Sequence, residues 1–161
     1  MPLLADLAAH KGARFVELIH RLELPRDSCV RTLEAAAAIG WVQRNPGHGH
    51  PLRPEYILTE AGAAAAARAA TIAEAQSAIG LPPGAATRWG LPLVAGIGAG
   101  HDRFNALSRL LAPATPRALS QGLTALGQHG LVTRQLLDLR PPASRYDLTR
   151  TGALLAAACA S

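Results

Sequence analysis

Apolar residues recur at helical spacing in several segments of the chain, and short breaks separate these segments. The clearest stripe consists of Leu119, Leu123 and Leu126, at i, i+4 and i+7, which predicts a helix with one buried face. Thr115 is placed to cap this helix, and Pro116 stands at its first position, where a missing N–H is tolerated. The opposite face of the helix is therefore left for contact with a partner.

The rest of the second half predicts a compact series of short elements. Two short helices are expected at Trp89–Ala99 and Arg103–Leu111, before the helix that starts at Pro116. Gly130 ends that third helix, and a final apolar helix begins after Thr149. Two strands are expected between these two helices, at Leu131–Leu136 and Ser144–Leu148. A stiff hairpin tip, Leu137–Ala143, joins the strands.

The first half predicts the same series of elements. Its three helices, two strands and closing helix are expected at Pro2–His10, Arg14–Leu22, Arg26–Ile39, Trp41–Asn45, Glu55–Leu58 and Glu60–Ile79. The loop between the two strands is Pro46–Pro54. The closing helix is almost all alanine around Ala63–Ala67, which favours a close contact with another helix.

The two halves also share sequence. Residues 40–44 recur as residues 130–134, and residues 56–62 recur as residues 146–152, both at an offset of 90. Residues 14–18 match residues 103–107 at an offset of 89. Three collinear blocks indicate an internal repeat, and the segment Gly80-Leu81-Pro82-Pro83-Gly84 between the copies has the composition of a linker. We therefore expect two domains, at residues 1–80 and 81–161.

Charge distinguishes the two halves. The chain has a formal net charge of +5 over 161 residues. Residues 1–80 contain eight basic and eight acidic residues, whereas residues 81–161 contain eight arginines and three aspartates. The whole excess therefore belongs to the second half, and a polyanion would be attracted there, because a local field governs that attraction.

The order helix, helix, helix, strand, loop, strand, helix is that of a winged helix-turn-helix module. The fold class expected is mainly α with small β-hairpins, as tandem winged helix-turn-helix domains. The second copy resembles the HxlR family in five blocks: Trp89, residues 103–107, residues 115–121, residues 130–134 and residues 145–152. The first copy resembles it more weakly, since it lacks the Pro-Arg-x-Leu-Ser-Gln start of the third helix.

This resemblance implies a bacterial transcription factor that binds inverted-repeat operators as a homodimer, with one such module per chain. Two copies in one chain depart from that pattern. Either the copies form an internal pseudo-dimer, or one copy binds DNA while the other supplies the dimer contact.

The recognition helix of the second copy carries most of the candidate DNA contacts. Arginine can bond guanine through two hydrogen bonds and glutamine can do so with adenine, while hydroxyl groups suit phosphate or either base. The candidates on this helix and at its cap are Thr115, Arg117, Ser120, Gln121 and Thr124. The alternative interpretation of this face is an ordinary solvated surface.

The second hairpin supplies further candidates. Arg140 lies at the rigid tip, and Arg145 and Arg134 lie on the strands, from which they could reach the DNA backbone or the minor groove. Surface ion pairs with Asp138 or Asp147 are the alternative.

The first copy is expected to bind DNA more weakly. Asp27 and Glu34 fall on the recognition face, where they would repel phosphate. Its best candidate contacts are Arg26 and Arg31, with Arg53 in the first loop.

No metal, cofactor or catalytic site is expected. His48 and His50 lack a third ligand at a convincing spacing. Cys29 corresponds to Leu119 on the buried stripe, which predicts a packed thiol, with oxidant sensing as the alternative. Cys159 is not constrained by the pattern, and no disulfide is expected. No nucleophile elbow or phosphate-binding glycine loop is present, so enzymatic activity is not expected.

These observations predict a cytoplasmic regulator of transcription, more often a repressor, whose partner is double-stranded DNA. A membrane segment is not expected, because no apolar run approaches roughly 18 to 20 residues. Two alternatives differ in class: a module for protein assembly, and a sensor that binds a small-molecule effector between the copies.

Overall fold

The structure is a computed structural model that describes residues 2–45, 55–82, 85, 88–138 and 143–160. The chain divides into two compact units, Met1–Ala70 and Thr71–Ser161. The first unit contains the helices α1 (Pro2–His10), α2 (Phe15–Leu22) and α3 (Arg26–Ala38), and the strands β1 (Ala13–Arg14), β2 (Val42–Asn45) and β3 (Glu55–Leu58). The second contains α5 (Gly90–Gly98), α6 (Phe104–Leu110), α7 (Pro116–Gln128), β4 (Val132–Leu137), β5 (Ala143–Leu148) and α8 (Arg150–Ala160).

The division between the units falls inside a helix, α4 (Glu60–Ala78), and not in the proline- and glycine-rich segment that the sequence favoured. The physical reason is packing. Ile72, Ala75 and Ile79 pack against the core of the second unit, so this end of α4 is grouped with residues that follow it. Proline and glycine identify where a chain can turn, but the burial of apolar side chains decides where a compact unit begins.

Apart from the two-residue strand β1, the helices and strands follow the same order in the two units, and each unit contains a small antiparallel sheet. In the first unit β2 pairs with β3, with Val42 opposite Leu58. In the second unit β4 pairs with β5, with Val132 opposite Leu148. The prediction of a mainly helical chain with small hairpins is confirmed. The hairpin tips, including most of residues 137–143 and the whole of Pro46–Pro54, lie outside the described residues.

The first strand of the smaller unit was not predicted from the sequence. β1 is two residues long and pairs antiparallel with β3, which makes a sheet of order β1-β3-β2. The second unit has a single bridge at this place, between Arg103 and Arg145. A strand of two residues has no recognisable alternation, and only its tertiary pairing reveals it.

Each unit has its own apolar core. The largest fully buried side chains of the second unit are Leu93, Leu107, Leu119, Leu126, Leu131 and Leu155. Those of the first unit include Leu4, Leu7 and Leu18, with Cys29 beside them. Leucine is the main core residue in both units, which agrees with the aromatic content of 4%. Among the described helices, none is long and apolar enough to cross a bilayer.

One set of contacts, which we call the Thr-Gly clasp, joins the closing helix of the second unit to the turn after α7. The Thr149 hydroxyl donates to the Gly130 carbonyl (2.7 Å) and accepts from the Gly152 N–H (3.1 Å). The Thr149 N–H donates to the Leu131 carbonyl (3.0 Å). A Cβ on Gly152 would collide with the Leu131 carbonyl oxygen, so only glycine permits this close approach.

The first unit contains the same clasp 90 residues earlier in the sequence. The Thr59 hydroxyl donates to the Gly40 carbonyl (2.6 Å) and accepts from the Gly62 N–H (3.0 Å). A Cβ on Gly62 would collide with the Trp41 carbonyl oxygen. Gly40 and Gly130 both adopt positive φ, at 74° and 66°. The matching sequence blocks therefore correspond to matching hydrogen-bond geometry in the two units.

The clasp leads to a prediction for stability. Gly152→Ala should lower the free energy of unfolding by about 1–3 kcal/mol, because the new methyl group overpacks the contact with Leu131. Urea unfolding followed by circular dichroism measures this change. Gly127→Ala on α7 is the matched control, since the nearest heavy atom to its Cβ, the Val132 carbonyl oxygen, would be 3.7 Å away. This control should be neutral or stabilising by up to about 1 kcal/mol. Equal losses in both variants would contradict the role of the clasp.

Candidate nucleic-acid interface

The helix α7 begins and packs as its sequence predicts. The Thr115 hydroxyl accepts a hydrogen bond from the Ala118 N–H (3.2 Å), and Pro116 occupies the first turn. Leu119, Leu123 and Leu126 are buried. Because one side of α7 is fixed against the core, the direction of its opposite side is also fixed.

That opposite side is solvent-exposed and polar. Arg117, Ser120, Gln121 and Thr124 are all exposed and follow the spacing i, i+3, i+4 and i+7, so they share one face of α7. The Thr124 hydroxyl donates to the Ser120 carbonyl within the helix (2.9 Å). The four recognition-helix residues predicted from sequence are thus brought together on one surface, with Thr115 exposed at its start.

A groove of about 660 Å³ lies beside this face, between α6, α7 and the β4–β5 hairpin. Its charged and polar lining consists of Arg103, Asn105, Arg109, Ser120, Thr124, Arg134, Ser144 and Tyr146. Three of these are arginines and none is a carboxylate. We call this surface the arginine groove.

Hydrogen bonds within the unit orient two of the arginines. Arg134 donates from Nε to the Ser144 hydroxyl (2.9 Å), and Arg109 donates from Nε to the Asn105 carbonyl (3.3 Å). Within the described part of the chain, no carboxylate lies at ion-pair distance from Arg109, Arg117 or Arg134. Their positive charges are therefore not neutralised locally by the described residues.

Two further arginines of the second unit have acidic neighbours. Arg145 donates from Nε to Asp147 (3.0 Å) and from Nη2 to Gln135 (3.3 Å), which is the ion pair that the sequence offered as an alternative to DNA contact. Arg103 lies 3.7 Å from the carboxylate of Asp102. Arg140 lies outside the described residues, as do Arg53, His48 and His50 of the first loop.

Sequence reasoning missed the contribution of α6. Arg103 and Asn105 belong to a conspicuous sequence block and Arg109 follows four residues after Asn105, but none was assigned a binding role. Asn105 and Arg109 are one helical turn apart, which predicts that they share a face of α6. Which face meets α7 depends on how the two helices cross, and that is a tertiary property.

In the first unit, α3 occupies the place that α7 has in the second. Arg26 and Arg31 are exposed, as the sequence predicted. The Arg26 guanidinium lies over the ring of Phe15, 5.0 Å from its centroid, and Arg31 reaches the Ser28 hydroxyl at 3.5 Å. Asp27 and Glu34 are exposed on the same helix.

The cysteines differ in environment. Cys29 is fully buried in the first core, and this burial raises the pKa of its thiol above the ordinary value of 9.0. Cys159 is half-buried in α8. Among the described residues, no group of three or more histidine, cysteine or acidic side chains could hold a metal ion.

The sequence of the second unit also matches a known protein family. Residues 85–161 match the family described as HxlR-like helix-turn-helix. The uncharacterized HTH-type transcriptional regulators YtfH of Escherichia coli and of Shigella flexneri are each 33% identical to this chain over 66 residues. The match covers 41% of this chain and 52% of each relative, so the chain spans about half the length of the curated relatives that it matches.

Solved structures are similar over comparable lengths. A transcriptional regulator of the MarR family from Enterococcus faecalis is 30% identical with a TM-score of 0.44, over 57% of this chain and 78% of that chain. The diamide-treated YodB from Bacillus subtilis is 27% identical with a TM-score of 0.42, over 53% of this chain and 81% of that chain.

The family match covers the arginine groove and the whole of α7. Residues 85–161 are therefore similar to the HxlR-like helix-turn-helix family, and the two curated relatives are described as HTH-type transcriptional regulators. This confirms the family resemblance for the second half of the chain.

The buried thiol gives a prediction for reactivity. Because the thiolate is the reactive form and burial disfavours it, Cys29 should resist iodoacetamide in the folded protein near neutral pH. Its labelling should rise when the protein unfolds, because the thiol is then accessible and its pKa returns toward the ordinary value. Mass spectrometry of a Cys159→Ser variant, with and without urea, isolates this residue. Equal labelling rates in both conditions near neutral pH would contradict the prediction.

Proposed function

We propose that this protein is a DNA-binding transcriptional regulator, and that its second unit binds double-stranded DNA. The observation that carries the proposal is the combination of the exposed polar face of α7 with the adjoining arginine groove. A helix fits the major groove of B-DNA and can present such side chains to the base edges. The family match of residues 85–161 supports this function independently of the geometry.

The two parts of the surface suit two different tasks. On α7, Arg117 and Gln121 have the side chains that distinguish base pairs, with guanine and adenine as their preferred partners. In the groove, Arg103, Arg109 and Arg134 suit one sugar-phosphate strand, since guanidinium groups bind phosphate oxygens at short range. The face of α7 then supplies sequence preference, and the groove supplies affinity and register.

We propose repression as the regulatory outcome, by occupation of an operator that overlaps a promoter. The contacts of Thr115, Ser120, Thr124 and Arg145, and those of Arg140 at the hairpin tip, remain proposals of the same kind. Arg145 is the weakest of these candidates, because its guanidinium already bonds Asp147 and Gln135.

The base-reading assignment is tested by substitution on α7. Operator fragments can first be selected from genomic DNA with the wild-type protein. Arg117→Ala and Gln121→Ala should each lose about 1–3 kcal/mol of discrimination at one base pair, because each bidentate contact contributes this much. Fluorescence anisotropy with point-substituted operators measures the loss. Arg150→Ala, an exposed arginine on α8 outside the groove lining, is the matched control and should keep the wild-type preference. Unchanged selectivity in both α7 variants would refute the assigned face.

Phosphate contact by the arginine groove is tested through the salt dependence of binding. Arg109→Gln should weaken binding to all sequences alike and reduce the slope of log affinity against log salt by about one, because one phosphate contact is lost. The measurement is a titration with operator and scrambled duplexes over a salt series. A change in sequence preference, or an unchanged slope, would argue against a phosphate contact at this position.

A further inference from the structure

The repeat allows the arginine groove of the second unit to be compared, residue by residue, with the first unit. The blocks at offsets of 89 and 90 align α6 with α2, α7 with α3, and β4 with β2. The Thr-Gly clasp is present in both units, so these positions lie on equivalent frameworks. Differences between the two surfaces are therefore differences of side chains.

At the groove positions, the charge of the first unit is cancelled. Arg103 and Arg134 correspond to Arg14 and Arg44, but Arg109 corresponds to His20. Ala106 and Thr124 of the groove correspond to two carboxylates, Glu17 and Glu34. Three arginines and no carboxylate in the second unit thus become two arginines and two glutamates in the first.

Two of the remaining polar positions also lose their hydrogen-bonding groups, whereas Tyr146 corresponds to Tyr56 and keeps its hydroxyl. Asn105 corresponds to Val16, whose side chain is 72% exposed, and Ser120 corresponds to Val30. An exposed valine offers no donor to a phosphate oxygen.

The recognition helix also differs in charge: two of its exposed positions become acidic in the first unit, whereas Gln121 corresponds to Arg31. Arg117, at the start of the polar face of α7, corresponds to Asp27 on α3. Both Asp27 and Glu34 are exposed on the surface that would have to approach the DNA backbone. Like charges brought together in a desolvating contact repel each other, and phosphate is the group that every DNA sequence presents.

Two cations of the first unit also make contacts within that unit, as Arg103 of the second unit does with Asp102. Arg14 lies 3.8 Å from the carboxylate of Glu55, and its backbone N–H donates to Glu17 (2.7 Å). The Arg26 guanidinium rests on the ring of Phe15.

From these differences we infer that the first unit does not read DNA: it keeps the winged-helix framework, but its recognition surface is closed to phosphate by Asp27, Glu34 and Glu17. One chain therefore supplies one DNA-reading surface, and an operator with two half-sites requires two chains. The inference rests on the proposed function of the second unit. It goes beyond the sequence expectation, which allowed Arg26 and Arg31 as weak contacts.

The first arm of the test replaces three exposed arginines of the first unit. Full-length protein carrying Arg26→Ala, Arg31→Ala and Arg44→Ala together should bind short random-sequence duplexes with the wild-type affinity and salt slope. The matched variant of the second unit, Arg109→Ala with Arg134→Ala, should flatten the slope by about two, since each phosphate contact contributes roughly 0.9. Thermal unfolding of each variant confirms that the fold is retained.

Grafting provides the second arm. Asp27→Arg with Glu34→Thr gives α3 the residues that stand at the same positions of α7, and both sites are exposed. This variant should bind the random duplexes more tightly and steepen the salt slope by about one, because a new arginine can reach phosphate.

The outcomes separate the inference from the proposed function. If wild-type protein and every variant fail to bind the duplexes at low salt, the proposed function itself fails. If the second-unit variant weakens binding as expected but the first-unit triple variant weakens it as well, the inference is overturned. If the grafted variant gains no affinity for the duplexes, the inference is also overturned. The carboxylates would then not be the reason that the first unit fails to bind DNA.

Discussion

The Thr-Gly clasp is the contact on which the rest of each unit depends. In the second unit it holds the start of α8 against the turn that follows α7, through the Thr149 hydroxyl and the bare backbone of Gly152. The strands β4 and β5 run between these two points, so the clasp also closes the hairpin at its base. Because α7 ends at this turn, its angle to the hairpin is fixed there, and that angle creates the arginine groove. Without a side chain at residue 152, the backbones can approach closely enough for three hydrogen bonds to form around one threonine.

The clasp constrains the backbone and leaves the exposed surface free to vary. Thr59 and Gly62 reproduce it in the first unit, with donor–acceptor distances within 0.1 Å of those in the second. The exposed side chains at the second position of α3 and of α7 nevertheless have opposite charge, Asp27 in one and Arg117 in the other. A shared framework is therefore no argument that both units bind the same partner, since the partner is selected by residues that contribute little to the fold.

How far the sequence predicted the structure depended on the range of the interactions involved. The start of α7 was predicted from Thr115 and Pro116, and its buried face from three leucines, because capping and periodicity act over a few residues. The division into compact units at Ala70 could not be read from local sequence, since the packing of Ile72 and Ile79 involves residues far along the chain. The groove was missed for the same reason. Arg109 and Arg134 come together only when α6, α7 and the hairpin are assembled, and no local pattern contains that information.

The net charge of a unit indicates a binding surface only when the positions of its charged side chains are also known. Residues 81–161 hold the whole net charge of +5, but a surface charge in water acts over a Debye length of about 8 Å at physiological ionic strength. Distant arginines therefore cannot compensate for a carboxylate that lies on a contact surface. In the second unit, Arg109, Arg117 and Arg134 lie on or beside the face that would approach DNA, and no carboxylate of the described residues pairs with them. At the equivalent positions of the first unit Glu34 and Asp27 are exposed, which is why we propose DNA binding for the second unit alone.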